Sequence, residues 1–373
     1  MKKFVKMSLV AAVALSAFSS NASARTLDEV AKNFDVFGYA NVRYDDNTTD
    51  VVGGSNTSSY THKVVLGATG KLTDDFSYMF AGTAFDVEDT NGNIEYDPLL
   101  MVYSYFTYTG IENTSITAGR QGLATPLTVV YDPATATSEA DGVSVKTKLG
   151  AVNLEAAYFA STNFEYGDRS ASFPGGMIDG GEEYVHVGLT SNVGPVALDA
   201  WYAEMDDKYN VYTVGAKAKF KAASADIMAY GRYTAADIDD VDADQSLWKV
   251  GVGAKMGIFG ANLDYGQTDE EGGWVTFDSD ASVNLKGWKI GLLGNADAEL
   301  LKVGANVDLL PNLNLSANYV DMEIADNGQT EIVGQLSYKI TKGVTAAIRF
   351  GQVDVDGEDD KRDFGRASIL WLF

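Results

Sequence analysis

From residue 34 onward the chain alternates with a period of two. Along 210–220, Tyr212, Val214, Ala216, Ala218 and Phe220 take every second position, with Lys217 and Lys219 between them. Along 247–256, Trp248, Val250, Val252, Ala254 and Met256 alternate with Lys249 and Lys255. Along 344–353, Val344, Ala346, Ile348 and Phe350 oppose Arg349. Successive side chains of an extended strand point to opposite faces, so this pattern builds ribbons with one oily and one wet face. Arg43, Lys63, Lys146, Lys148, Arg232, Lys302 and Lys339 keep to the wet register. A lysine or arginine facing lipid at mid-bilayer costs roughly 2–4 kcal/mol, so this parity is what insertion into a membrane requires. A half-buried soluble sandwich would alternate in a similar way, and other features must decide between the two.

Eighteen such runs can be marked between 34 and 373, with sixteen as the runner-up because 269–297 is weakly patterned. Trp274–Phe277 and Trp288–Leu293 could form two further short strands there, but one long external loop keeps the count even. Tight turns such as Thr73-Asp74-Asp75, Gly150, Asn192-Val193-Gly194, Gly257 and Pro311-Asn312 alternate with longer polar connections. The fold class predicted is therefore all-β: a transmembrane antiparallel β-barrel with short periplasmic turns and long extracellular loops. A closed barrel leaves no sheet edge unpaired, which lipid would not tolerate. The six prolines are expected in loops or at strand starts, where no ladder donor is lost. Tyr44, Tyr158, Tyr202, Tyr233, Tyr265, Tyr319, Trp248 and Trp371 sit near strand ends on the oily face, as interfacial girdles do.

The two ends of the chain agree. Lys2, Lys3 and Lys6 precede a short apolar run, and Ala22-Ser23-Ala24 is an A-x-A cleavage site, so 1–24 reads as a signal peptide. Thr26 with Glu29 suggests a capping box and a short periplasmic helix over 25–33, ahead of a barrel over 34–373. The tail Phe364–Phe373 alternates in the same way and ends on an aromatic residue. Ile369, Trp371 and Phe373 on its oily face are the expected C-terminal signal for the barrel-assembly machinery. The predicted location is the bacterial outer membrane, in contact with its lipid and lipopolysaccharide.

Composition closes off other functions. With no cysteine and only His62 and His186, both assigned to the lumen, thiolate chemistry, disulfides and histidine-rich metal sites have no support. The formal net charge of −24 argues against nucleic acid, whose phosphates it would repel. The paired acids lie in loops without an apolar pocket to tune them, so no enzyme is expected. No cofactor is implied. Acid clusters could supply oxygen ligands to Ca2+, although Gly357 in Asp354-Val-Asp356-Gly357 comes too early for an EF-hand loop.

The acids instead crowd one rim, at Asp45-Asp46, Asp86 to Asp97, Asp237 to Asp244, Asp269 to Glu271, Asp278 and Asp280, Asp321 to Asp326 and Asp354 to Asp360. Such a mouth concentrates cations. The third connection, 122–140, carries Leu123, Leu127, Val129, Val130 and Tyr131, which suit a loop folded inward against a wall. Its Asp132 and Glu139, with adjoining Asp141, are the predicted acidic constriction. They would face wall cations drawn from Arg43, Lys63, Arg349 and Arg366 across a narrow aqueous gap.

FDVFGYANVRYDD (Phe34–Asp46), TAGRQGLATPL (Thr117–Leu127) and the terminal phenylalanine resemble the major outer-membrane porin family of campylobacter-type bacteria. The resemblance implies an 18-stranded barrel, usually a homotrimer, with a constriction loop and passive diffusion of small hydrophilic solutes. It assigns the constriction to Asp132, Glu139 and Asp141 by their place in the loop. The reading is a cation-preferring porin. The alternatives are a substrate-selective channel and a surface adhesin or structural barrel with no open pore.

Overall fold

The computed structural model describes residues 34–49, 56–89, 94–133, 137–325, 327–358 and 361–373. The expected signal peptide and N-terminal helix lie outside the described residues. Eighteen strands follow one another. The first six are β1 (Phe34–Thr49), β2 (Thr57–Lys71), β3 (Phe76–Asp89), β4 (Ile94–Ile111), β5 (Thr114–Gly122) and β6 (Glu139–Leu149). The next six are β7 (Val152–Thr162), β8 (Tyr184–Val193), β9 (Val196–Met205), β10 (Tyr209–Ala222), β11 (Ala225–Ile238) and β12 (Gln245–Met256). The last six are β13 (Phe259–Thr268), β14 (Ala298–Leu310), β15 (Leu313–Ile324), β16 (Asn327–Lys339), β17 (Val344–Val355) and β18 (Arg362–Leu372).

Every strand pairs antiparallel with its sequence neighbours, and β1 pairs with both β2 and β18, so the sheet closes. At the seam Ala40 stands opposite Val64 on one side and Trp371 on the other. Phe373 extends the ladder by one residue: its N–H donates to the Gly38 carbonyl at 3.0 Å, and the Gly38 N–H donates back at 3.0 Å. A Cβ on Gly38 would lie 2.2 Å from the Val65 carbonyl oxygen and 2.9 Å from the Phe373 ring, so only glycine admits the terminal aromatic.

The outward face follows the sequence parity. Val42, Val64, Leu66, Ile348 and Ile369 are exposed, as lipid-facing residues must be in an isolated barrel. Aromatic pairs frame this band at both rims, with Tyr44 on Tyr60 and Trp248 on Tyr265 at the loop rim, and Phe76 on Tyr108 and Trp371 on Phe373 at the turn rim. His62 departs from expectation. It stands opposite Val42 in the same register as Tyr60 and Val64, so it projects outward while its neighbour Lys63 points in. A one-residue step along a strand reverses the face, and the two could not share the lumen.

Two further expectations are corrected. Pro98 lies inside β4, at a register shift between the Thr83/Leu100 and Phe85/Asp97 pairs, where a bulge removes the need for its missing N–H. Asp321 and Glu323 belong to β15 instead of a loop: they follow Tyr319 on the outer face, beyond the oily band, while Val320 and Met322 on the inner face are buried in the apolar core. The segment 269–297 contains no strand, only one isolated bridge between Lys286 and Gly291. The sixteen-strand alternative fails, as do extra strands within that loop.

Candidate functional site

Three connections fill the upper lumen; the one between β7 and β8 buries Phe164, Phe173 and Ile178 against the two described next. The first leaves β5 at Gly122 and buries Leu123, Leu127 and Val129. Its turn is fixed by Thr128, whose Oγ1 donates to the Leu123 carbonyl at 2.5 Å, and by Ser138, whose N–H donates to the Val129 carbonyl at 2.6 Å. Its tip crosses to the β1–β2 wall, where Lys63 Nζ and the Tyr39 hydroxyl donate to the Asp132 carbonyl at 2.9 and 3.1 Å. Tyr131 packs edge-on against Tyr39, 5.5 Å between centroids.

The second is 269–297, which folds inward and does not stand outside. It buries Val275, Phe277, Val283, Leu285, Leu292 and Leu293. Phe277 stacks on Phe164 at 4.4 Å, the Thr276 hydroxyl donates to the Leu127 carbonyl at 2.7 Å, and the Val283 N–H donates to the Pro126 carbonyl at 3.1 Å. The two loops therefore share one apolar core. Lumen-facing charges on the barrel hold the second loop by its backbone. Lys249 Nζ donates to the carbonyls of Ser282 and Asn284 at 2.6 Å each, and Lys302 Nζ to that of Lys286 at 2.9 Å. The buried Glu331 carboxylate accepts the N–H groups of Trp288, Lys289 and Ile290 at 2.6, 2.5 and 3.2 Å. Hydrogen bonds to an ionised partner are roughly twice as strong as neutral ones, so a few fixed charges can pin a loop against a wet wall.

This places Trp288 against the β17–β18 wall. The Arg349 and Arg366 guanidinium carbons lie 5.0 and 5.3 Å from its ring centroid, and Lys289 Nζ lies 5.2 Å away. Arg43 and Arg366 share one carboxylate, Asp45, at 2.5 and 2.6 Å. Arg349 donates instead to the Gln335 amide oxygen at 2.6 Å, and Lys289 to the Asn47 amide oxygen at 3.1 Å. Neither has a carboxylate within ion-pair distance among the described residues. Burial lowers the Lys289 ammonium from its ordinary value, and the nearby Arg366 charge pushes the same way.

Two cavities meet here. The one toward the loop rim, about 460 Å3, is bordered by Asp168, Asp280 and Lys289; the one toward the turn rim, about 290 Å3, by Ser337, Thr345 and Leu370. Arg43, Asp132, Arg349 and Arg366 line both. These four make a charged collar between an upper and a lower chamber, with Asp132 on the loop and the three arginines on the wall.

Of the residues expected at the constriction, Asp132, Arg43, Arg349 and Arg366 thus come together. Lys63 is 3% exposed and is used to anchor the third loop. Glu139 is 1% exposed at the loop's root, where it accepts from Thr137 and Asn163. Asp141 pairs with Arg120 at 2.8 Å. Trp288 and Lys289 were missed. The signal was the run of apolar residues in 274–293, the same composition that marked the third loop. At the loop rim, crowding is visible at Asp239, whose carboxyl is raised by partial burial and then by Asp237, Asp207, Asp240 and Asp206.

The barrel is similar to solved outer-membrane porins. A BenF-like porin from Pseudomonas fluorescens Pf-5 superposes with a TM-score of 0.76 at 12% identity, covering 92% of this chain and 99% of that one. Pseudomonas aeruginosa OpdL gives 0.76 at 14% identity, covering 92% and 99%. Pseudomonas aeruginosa OccK2 (OpdF), solved in complex with glucuronate, gives 0.74 at 14% identity, covering 91% and 98%. At such identities the likeness concerns the fold. No curated protein sequence matches the chain. The family model described as Campylobacter major outer membrane protein matches residues 1–350. A closed barrel with a lipid-compatible exterior, an inner collar and that match over most of its length leads to one conclusion: the chain belongs to the Campylobacter major outer membrane protein family, whose barrels are channels of the bacterial outer membrane.

Proposed function

We propose that this channel passes small hydrophilic solutes by passive diffusion, prefers cations among simple ions, and sorts larger solutes at the collar between its two chambers. The observation that carries the reading is the shared lining of those chambers by Arg43, Asp132, Arg349 and Arg366. Opposite charges facing each other across a narrow water-filled gap order water and orient polar solutes. The cation preference rests on the acid-rich loop rim, which raises local cation concentration before the collar is reached. The arginines oppose it locally, so the preference is modest. Purified protein in planar bilayers under a potassium chloride gradient is expected to show a reversal potential favouring potassium. A chloride-favouring potential rejects the cation preference, and a folded protein that conducts no ions rejects the channel. Assembly as a homotrimer, delivered by a cleaved signal peptide and the C-terminal strand, completes the proposal. Chemical cross-linking in native membranes checks the trimer.

A further inference from the structure

We propose that the channel rectifies: at equal and opposite voltages it passes more current when the loop side is positive, because two zones of opposite fixed charge lie in series along its lumen. The inference rests on the channel reading and concerns how that channel conducts. The acidic zone is the loop rim, with Asp237 to Asp244 and Asp269 to Glu271 among its clusters. The basic zone is the arginine collar and the wall below it. On that wall Lys71, Lys148, Lys217, Lys219 and Lys339 are exposed to water near the turn ends of β2, β6, β10 and β16. Parity turns them inward: they follow the buried, inward-facing Val65, Ser144, Thr213 and Val333 of the same strands at steps of two.

Acids on the same wall do not cancel this charge. Glu155 takes Lys146 at 3.1 Å, Asp308 takes Lys255 at 2.7 Å and Asp199 takes Arg232 at 2.8 Å. The five lysines themselves have no carboxylate within ion-pair distance among the described residues. Opposing them are Asp35 at the start of β1 and the tip residues Asp74, Asp75 and Glu112, which stand at the exit. The collar keeps the same sign. Arg349 and Arg366 are direct cross-strand partners, a like-charge pairing that strand ladders disfavour, and Arg43 and Arg366 share the one Asp45 carboxylate.

Fixed acids concentrate potassium at the rim, and fixed bases concentrate chloride in the lower lumen. With the loop side positive, potassium is driven downward and chloride upward, so both ions fill the junction at the collar and conductance rises. The opposite voltage draws each ion back into its own zone and empties the junction of carriers. A pore of uniform sign would carry its preferred ion alike in both directions. These zones act over about 10 Å at 0.1 M salt but only about 3 Å at 1 M. The asymmetry therefore belongs to dilute salt and needs no moving part.

The test uses the intact protein in planar bilayers of potassium chloride, one insertion at a time. Ser224→Cys, in the turn between β10 and β11, marks the orientation. The chain has no other cysteine, so a bulky maleimide-polyethylene glycol alters the current only when added on the turn side. At about 100 mV in 0.1 M salt, the current with the loop side positive is expected to exceed the reverse by roughly 1.5- to threefold. In 1 M salt the ratio should fall to near one. Lys217→Gln, Lys219→Gln and Lys339→Gln combined should remove about half of the excess and strengthen the preference for potassium. A linear current–voltage relation in 0.1 M salt overturns the proposal and leaves the channel standing, whereas a folded protein without conductance overturns both. A larger current with the turn side positive also overturns it. So does an asymmetry that persists in 1 M salt, which would mean that voltage moves a loop, or one that the combined lysine variant leaves unchanged. The salt series needs no lysine variant and decides the matter should the combined one fail to fold.

Discussion

Glu331 shows how one residue can set the bore of a channel. Its carboxylate is 1% exposed and is spent on three backbone N–H groups of 288–290, which fixes the position of Trp288 between Arg349 and Arg366. Glu331→Gln keeps the volume but turns one acceptor into a donor against those N–H groups, at a cost of about 1–3 kcal/mol. The expected outcome is a noisier and larger single-channel conductance as Trp288 leaves the wall; an unchanged conductance would mean that the apolar core alone holds the loop. Asp278 works in the opposite sense. Burial pushes its carboxyl up to about 6, with Asp168 and Asp280 adding to the shift. A folded value above the unfolded one of about 4 means that the docked loop binds more protons than the released loop between those values. Docking is thus strongest below about pH 4, weakens as pH rises toward 6, and is flat above. Asp278→Asn should remove this dependence and tighten docking at pH 7 by about 1–2 kcal/mol, discounted for partial exposure. Hydrogen exchange of the 275–281 amides, compared with the wild type at each pH, reads the difference.

At the scale of elements, the contrast lies between strands, which local pattern specifies, and inward loops, which contacts specify. The period of two marked β10, β12 and β17 because each strand solves the same problem, lipid on one side and water on the other. Loop 269–297 has no period, and its apolar residues could be read as short strands. Packing resolved them: Phe277 meets Phe164 from the β7–β8 connection, and Thr276 and Val283 meet the third loop around Leu127 and Pro126, about 150 residues away in sequence. If the two loops form one core, damage to either should loosen both. Phe277→Ala is expected to weaken docking by about 3–5 kcal/mol. Limited proteolysis of the folded barrel should then cut within 122–138 as well as 269–297. Cleavage confined to 269–297 would show that the loops dock independently.

Over the whole molecule, charge is layered: acids at the rim, a mixed collar below, and lipid-compatible side chains outside. If the rim sets the ion preference, screening should remove it, since the Debye length falls from about 10 Å at 0.1 M to about 3 Å at 1 M salt. The potassium-to-chloride permeability ratio is expected to fall toward unity between those concentrations, and a ratio independent of salt would place selectivity at the narrower collar. The oily-wet alternation by itself determined the closed antiparallel barrel, the outward girdles and the inward parity of Arg43, Arg349 and Arg366, because those follow from each strand's local solvent on its two faces. The sequence also marked the third loop, by apolar residues where a solvated loop needs none. Only the tertiary structure decided that Asp132 reaches the collar while Glu139 stays at the loop's root and Asp141 turns to Arg120. It alone brought Trp288 and Lys289 to the arginine wall. Those placements depend on which distant backbone groups Glu331, Lys249 and Lys63 satisfy, and no local pattern encodes such pairings.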